Sequence, residues 1–418
     1  MSDTAVWFAL CLVFILLVPL SVAGLALINT GLGRSRSAAH AMTSSLSVVA
    51  VAGLVYFVFG FSVQAYPVNF AKMVMADQRV LGAPGLFLRG VDYGFPLLPV
   101  VLGIFSVGLA SIVPLGAAAD RLRLGAACLA TVIFAGLTYP GFAHWAVNGF
   151  LSQLVSNPAI GRSYLDDGGS GMIQASGGLA ALSLAWLVGP RRGKYSSSGL
   201  PAAIPAHNGV LVLFGSMLAW IGWIGLNASG AMLYRGVSAE RSLLVAVNTS
   251  LTAMAGALVA AAVTRIRFRR PDASLIANGW MAGLVSSSAG CAVLKPATAI
   301  LTGMVAGALL VLSVEWFEVS LKVDDPCGSI SVHAVGGLWG VLAAGIFSGG
   351  QQLLAQVVGV ATLLGFTLPF TYGANWLLSR LLAYRVSSDG ERQGLDLHEL
   401  GADAYPEFVV HSDEFLQR

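Results

Sequence analysis

Two stretches, Asp166-Asp167-Gly168-Gly169-Ser170-Gly171-Met172-Ile173-Gln174-Ala175-Ser176-Gly177-Gly178-Leu179 and Asp324-Asp325-Pro326-Cys327-Gly328-Ser329-Ile330-Ser331-Val332-His333-Ala334-Val335-Gly336-Gly337-Leu338, resemble each other. Aligned on Gln174 and His333, both continue Ala-x-Gly-Gly-Leu, and each carries an aspartate eight residues upstream, Asp166 and Asp325. Chance likeness between Gly/Ala-rich helices is the competing explanation. The identities cluster around two polar side chains in otherwise apolar surroundings, which argues against it.

Outward from these stretches the chain is strongly apolar. Of its 418 residues, 56% are hydrophobic and 10% charged, against about 25% charged in soluble domains. Such a chain lacks the polar surface to cover a water-soluble core. Lipid is the solvent that suits it. A transmembrane helix needs about 20 mostly apolar residues, and by that ruler about eleven spans are expected. They lie near 6–28, 43–65, 94–117, 124–147, 171–189, 208–229, 242–264, 274–290, 296–316, 330–349 and 353–383. The first follows Met-Ser-Asp without a basic leader, so it reads as a retained span and not a cleaved signal. The 50 glycines suit close helix contacts in lipid. Cys11, Cys128, Cys291 and Cys327 show no metal or disulfide spacing. A net charge of +3 and no basic tract give no reason to expect nucleic acid.

Lys and Arg set the orientation. One set of alternate connections holds Arg34, Arg36, Arg121, Arg123, Arg191, Arg192 and Lys194, then Arg265, Arg267, Arg269, Arg270, Lys322, Arg385 and Arg392. The other holds Lys72, Arg79, Arg89, Arg162, Arg235, Arg241 and Lys295. The richer set is placed in the cytoplasm. The N-terminus is then expected outside and the C-terminus inside, which an odd number of spans satisfies. A transmembrane domain is expected over 1–385, with repeat halves about 6–189 and 208–349 plus helix eleven at 353–383. An external loop (66–93) and a polar cytoplasmic tail (386–418) complete the expected layout. The two motifs open spans five and ten, so they lie in opposite orientation: an inverted repeat, whose substrate site falls near the midplane where the halves meet. Eight residues of helix cover about 12 Å. Each aspartate is therefore expected at a mouth and Gln174 and His333 deeper, facing each other.

The second motif, Val323-Asp324-Asp325-Pro326-Cys327 with Val332-His333-Ala334-Val335-Gly336-Gly337, closely resembles a DDP…HxxxG run of the ammonium transporter (Amt/Mep/Rh) family. Leu218-Ala219-Trp220-Ile221-Gly222-Trp223-Ile224-Gly225-Leu226-Asn227 resembles that family's W-x-G-W-x-G-F-N helix. Gly394-Leu395-Asp396 to Ala404-Tyr405 resembles its GLD…AY tail. The resemblance covers nearly the whole chain. It implies an eleven-helix fold, a homotrimer with one pore per subunit, conduction of ammonium or ammonia, and no cofactor.

The resemblance also assigns pore positions, and here the chain departs from the family. His333 matches the second of two pore histidines, while Gln174 stands at the first. Of two gate phenylalanines, one position is Leu226 and the other Ser106, with Phe105 adjacent. A recruiting tryptophan and serine map to Val147 and Gly230, with Trp145 two residues from the former. A helix-eight hydroxyl position maps to Ser288. Neutral imidazole offers one donor and one acceptor, which suits ammonia better than ammonium. Gln174 can continue a polar wire but cannot exchange a proton near neutral pH. Asp166 either caps the start of span five or attracts ammonium. Asp325 is expected to be structural at the inner mouth. Trp145 serves as an interfacial anchor or as a cation–π platform. Leu226 either widens the constriction or lets neighbouring helices close it. The tail resembles the part of the family that meets a PII-type regulator, but Leu400 and Ala402 stand where His and Glu are usual.

Three functions follow: a channel or transporter for ammonium, ammonia or methylammonium; a non-conducting ammonium sensor; or a pore retuned for another small amine or a neutral gas. No nucleophile, metal cluster or phosphate loop points to an enzyme.

Overall fold

The long apolar runs fold as helices because lipid offers backbone N–H and C=O groups no partner outside the helix itself. The structure, a computed structural model, describes residues 3–64, 83–89, 91 and 94–405. Among the described residues, ten helices are long and apolar enough to cross a membrane. They are α1 (Asp3–Leu32), α2 (Ser35–Gln64), α3 (Leu97–Ala117), α4 (Leu124–Ser156), α5 (Ser170–Val188), α6 (Gly209–Arg235) and α7 (Ser242–Phe268), then α9 (Pro296–Val319), α10 (Ile330–Ser348) and α11 (Gly350–Ser379). Between α7 and α9 lies α8 (Ala273–Ser287), only 15 residues long. No strand occurs among the described residues. Most of the loop expected at 66–93, with Lys72 and Arg79, lies outside the described residues, as does the tail beyond 405.

Several helices, α1, α2, α4 and α6 among them, run past the expected bounds because their ends continue beyond the apolar stretch, while α3 starts later and α8 and α11 end earlier than expected. Small residues set how closely they pack. A Cβ on Gly215 would lie 2.6 Å from the Gly24 carbonyl, so α6 meets α1 backbone to backbone. The pair α5 and α10 shows the same device twice. A Cβ on Gly178 would overlap the backbone nitrogen of Ala334, and one on Gly337 would lie 2.7 Å from that of Ala175. The residue following Gln174 thus touches α10, and the residue following His333 touches α5. Arg191, just past the end of α5, bonds Asp324, just before α10. The two helices therefore run antiparallel.

One face of the bundle carries the C-terminal tail. There Arg121, fully buried, donates to the carbonyls of Gly189, Ala119 and Asp324. Arg191 grips the Asp324 carboxylate at 2.9 and 3.0 Å and reaches Asp120 at 3.1 Å. Burial alone would push the Asp324 carboxyl up, but the bonds from Arg191 and the charge of Arg121 outweigh it and hold it below the usual range. The tail crosses this face on its own carboxylates. Asp396 accepts from the backbone of Ala39 and His40, and Glu399 from the backbone of Leu124 and the His40 ring. Each carboxylate thus satisfies free N–H groups near a helix start, where negative charge is favoured.

Candidate functional site

Both motifs open with a capped, widened turn. Asp166 accepts from the backbone N–H of Gly171 (3.0 Å) and Met172 (2.7 Å). Asp325 does the same with Ser329 (3.0 Å) and Ile330 (2.7 Å). Behind each cap the backbone winds as a π-turn, Ser170–Ala175 in one copy and Ile330–Val335 in the other, before the regular helix resumes. Such turns swing a side chain off the regular helical position and recur at functional sites. Gln174 lies in one and His333 in the other.

The two side chains meet. His333 Nδ1 is 2.8 Å from Gln174 Oε1, and both residues are almost fully buried. Oε1 is only an acceptor, so Nδ1 carries the proton and Nε2 keeps its lone pair. Gln174 Nε2 is buried with no hydrogen-bond partner. The pair therefore offers an open donor group, the Gln174 amide N–H2, and one open acceptor, His333 Nε2. If the carboxamide turns over, Gln174 donates to Nδ1, and the open acceptor moves to Gln174 while the open donor moves to His333. In either state the complement is a small neutral molecule with a lone pair and an N–H. Ammonia matches it. Ammonium, with four donors and no lone pair, does not match the open donor.

Beyond Asp166, at the face opposite the tail, lies a cavity of about 310 Å³. Tyr164, Asp166, Asp167, Met172, Val147 and Arg235 are among its lining residues. Arg235 Nε lies 2.8 Å from both oxygens of Asp167. Burial pushes the Asp166 carboxyl up to about 7 against the pull of its backbone N–H partners, and that of Asp167 up to about 6 against the pull of Arg235. At the tail end, burial likewise raises Asp325 to about 6.

The other expected residues scatter. Leu226, Ser106 and Ser288 are buried. Ser288 Oγ accepts from Trp223 Nε1 at 3.1 Å. Phe105 is half-buried against the core. Trp145 is not a lining residue of the cavity. Its ring packs edge-on to Phe366 at 4.5 Å and tilted on Phe150 at 5.7 Å. A Cβ on Gly230 would overlap the Asp167 carbonyl, so a serine has no room there. Sequence reasoning missed the partners of Asp167 and Asp324. The signal was present, because each motif begins with two adjacent aspartates: one caps its own helix, and the other takes an arginine.

A sequence model of the Ammonium Transporter Family matches residues 6–405. The chain is 32% identical to the ammonium transporter Amt2 of Archaeoglobus fulgidus, over 98% of this chain and 89% of the relative. It is 31% identical to the Amt2 of Haloferax mediterranei, over 92% and 87%. Its fold is similar to a solved structure titled "Sensor Amt Protein", with a TM-score of 0.82 and 25% identity over 94% of this chain and 98% of that one. The Mep2 structure from Candida albicans matches in fold with a TM-score of 0.79, over 96% and 90% at 23% identity. With its ten long apolar helices, this chain is a multi-pass membrane protein and not an enzyme, and it belongs to the ammonium transporter family.

Proposed function

We propose that the chain conducts ammonium, as ammonia at the narrowest point, through a passage lined by Gln174 and His333. The observation that carries this reading is the 2.8 Å bond between those side chains, buried where two antiparallel helices cross. Ionisable groups inside a membrane protein are costly and mark substrate paths. The cavity at Asp166 is the outer mouth, and Asp325 stands at the inner one. Leu226, Phe105, Ser106 and Ser288 line the way between them.

In this reading α8 is the eighth of eleven spans, its short length offset by the buried turn of 288–294 that follows it. The tail face is cytoplasmic and the N-terminus external, in the cell membrane. The matched caps, matched π-turns and reciprocal glycine contacts support an inverted repeat. The family resemblance supports a homotrimer. The docked tail is the surface a PII-type regulator would address. Growth of a yeast strain lacking its own ammonium permeases, supplied with low ammonium, tests the reading. Restored growth is expected; no rescue with the protein shown at the surface would refute it.

A second reading, an ammonium sensor that binds without conducting, is supported by the likeness to a structure titled a sensor and by Gln174 in place of a titratable group. Currents from proteoliposomes after an ammonium pulse would exclude it.

A further inference from the structure

The cavity at Asp166 is wide for ammonium. A water-sized molecule takes about 30 Å³ of liquid, so about 310 Å³ leaves the cation hydrated and dependent on long-range charge. With both carboxylates ionised, above about pH 7, that charge is balanced. Asp166 and Asp167 contribute two carboxylates. Arg235, 39% exposed at its side chain, stands in the lining against Asp167. Arg241, which bonds the Ala292 carbonyl, is close enough to act on Asp167 from behind.

The carboxylates are also occupied. Asp166 is turned to the N–H groups of Gly171 and Met172, and both oxygens of Asp167 face Arg235 Nε. A cation arriving here meets no free carboxylate, and it passes a guanidinium partly open to the same water.

We propose that Arg235 is a charge guard at the outer mouth: paired with Asp167, it cancels the field that would concentrate cations and so sets a weak, ionic-strength-dependent affinity for ammonium. This rests on the cavity being the outer mouth of the proposed passage. Arg235 touches no part of the Gln174–His333 pair, so its effect falls on loading and not on passage. A unit charge acting across several ångströms of partly hydrated protein is worth about tenfold in affinity at low salt.

The test compares wild type, Arg235→Gln and Arg235→Lys, with ammonium chloride as the probe. Half-saturating ammonium is read in two ways: from proteoliposome currents, and from ligand-induced thermal stabilisation of the purified protein. At a pH high enough to keep Asp166 and Asp167 ionised, Arg235→Gln is expected to lower half-saturation about tenfold at low salt, with a smaller gain at high salt and little change in maximal current. Arg235→Lys keeps the charge and is expected to stay near wild type. A merely structural arginine would fail in both variants and without regard to salt. Unchanged or weaker ammonium affinity in Arg235→Gln would overturn the proposal. If wild type binds ammonium but passes no current, the conduction reading falls, while a tighter Arg235→Gln in the thermal measurement still upholds the guard.

Discussion

Gln174 and His333 occupy equivalent places in two capped π-turns, and a 2.8 Å hydrogen bond joins them across the α5–α10 crossing. The bond fixes more than geometry. A carboxamide and a neutral imidazole always leave at least one donor and one acceptor open between them, whichever way the amide is turned. The pair can therefore hand a neutral molecule along. Gln174 cannot take up the proton that a second imidazole could.

That asymmetry predicts the outcome of Gln174→His. A second titratable ring should raise the charge-carrying part of ammonium flux relative to isotope-measured total flux. Electrogenic current and labelled methylammonium uptake, measured on the same vesicles, give the ratio. An unchanged ratio would mean that position 174 does not limit proton movement.

The pH response of the outer mouth follows from Asp166. Burial lifts its carboxyl to about 7. Below that pH on the outer face of the proposed passage it is neutral and adds nothing to the field of the mouth; above it the charge returns and acts at long range, its oxygens being held by Gly171 and Met172. Ammonium affinity should therefore strengthen between pH 6 and 8, and Asp166→Asn should flatten the change. Stability moves the other way. The folded protein holds this proton while the unfolded chain, titrating near 3.8, has lost it, so the group's contribution falls as pH rises from about 4 to about 7. A thermal midpoint that Asp166→Asn does not alter across this window would contradict the assignment.

Gly178 is predicted to tolerate no side chain. The added methyl of Gly178→Ala would collide with the Ala334 nitrogen and lie 2.6 Å from its Cα, both rigid backbone. The helices must separate, at about 1–3 kcal/mol or more, and the Gln174–His333 bond stretches with them. A lower unfolding midpoint together with lost flux is expected. Wild-type behaviour would show that the crossing is looser than drawn.

Arg191→Ala should be more damaging than its loop position suggests. It strips the buried Asp324 carboxylate of its guanidinium and leaves Asp120 with Arg34 alone, and breaking a buried pair from one side costs about 3–5 kcal/mol. Denaturation in detergent measures this loss. A cost below about 1 kcal/mol would mean that water reaches the cluster.

Much of this was readable from residues alone. Hydropathy set out about eleven spans, and ten of them are helices long and apolar enough to cross a membrane among the described residues, because lipid demands unbroken apolar runs. The repeat placed Gln174 opposite His333, because like motifs in opposite orientation bring like positions to a shared axis. Asp166 was legible as a cap of its helix, and the structure shows Asp325 capping its own in the same way. What stayed hidden were contacts between sequence-distant polar groups. Nothing local to Arg191 announces Asp324, nor does Arg235 announce Asp167. Nothing local to Asp396 and Glu399 announces that they satisfy N–H groups near the starts of α2 and α4. For Trp145 the sequence left an interfacial anchor and a cation–π platform both open, because its packing on Phe366 joins residues more than two hundred positions apart. The π-turns too were invisible, since a widened turn leaves no mark in hydrophobic periodicity.

The central claim is that the His333 ring lies on the route of the substrate. Proteoliposomes given a rapid ammonium pulse, wild type beside His333→Ala, test it most directly. The account predicts a saturable ammonium-selective current in wild type and its loss in the variant, with both proteins folded and equally reconstituted. A variant that carries the same selective current would place the imidazole off the path and end the proposal.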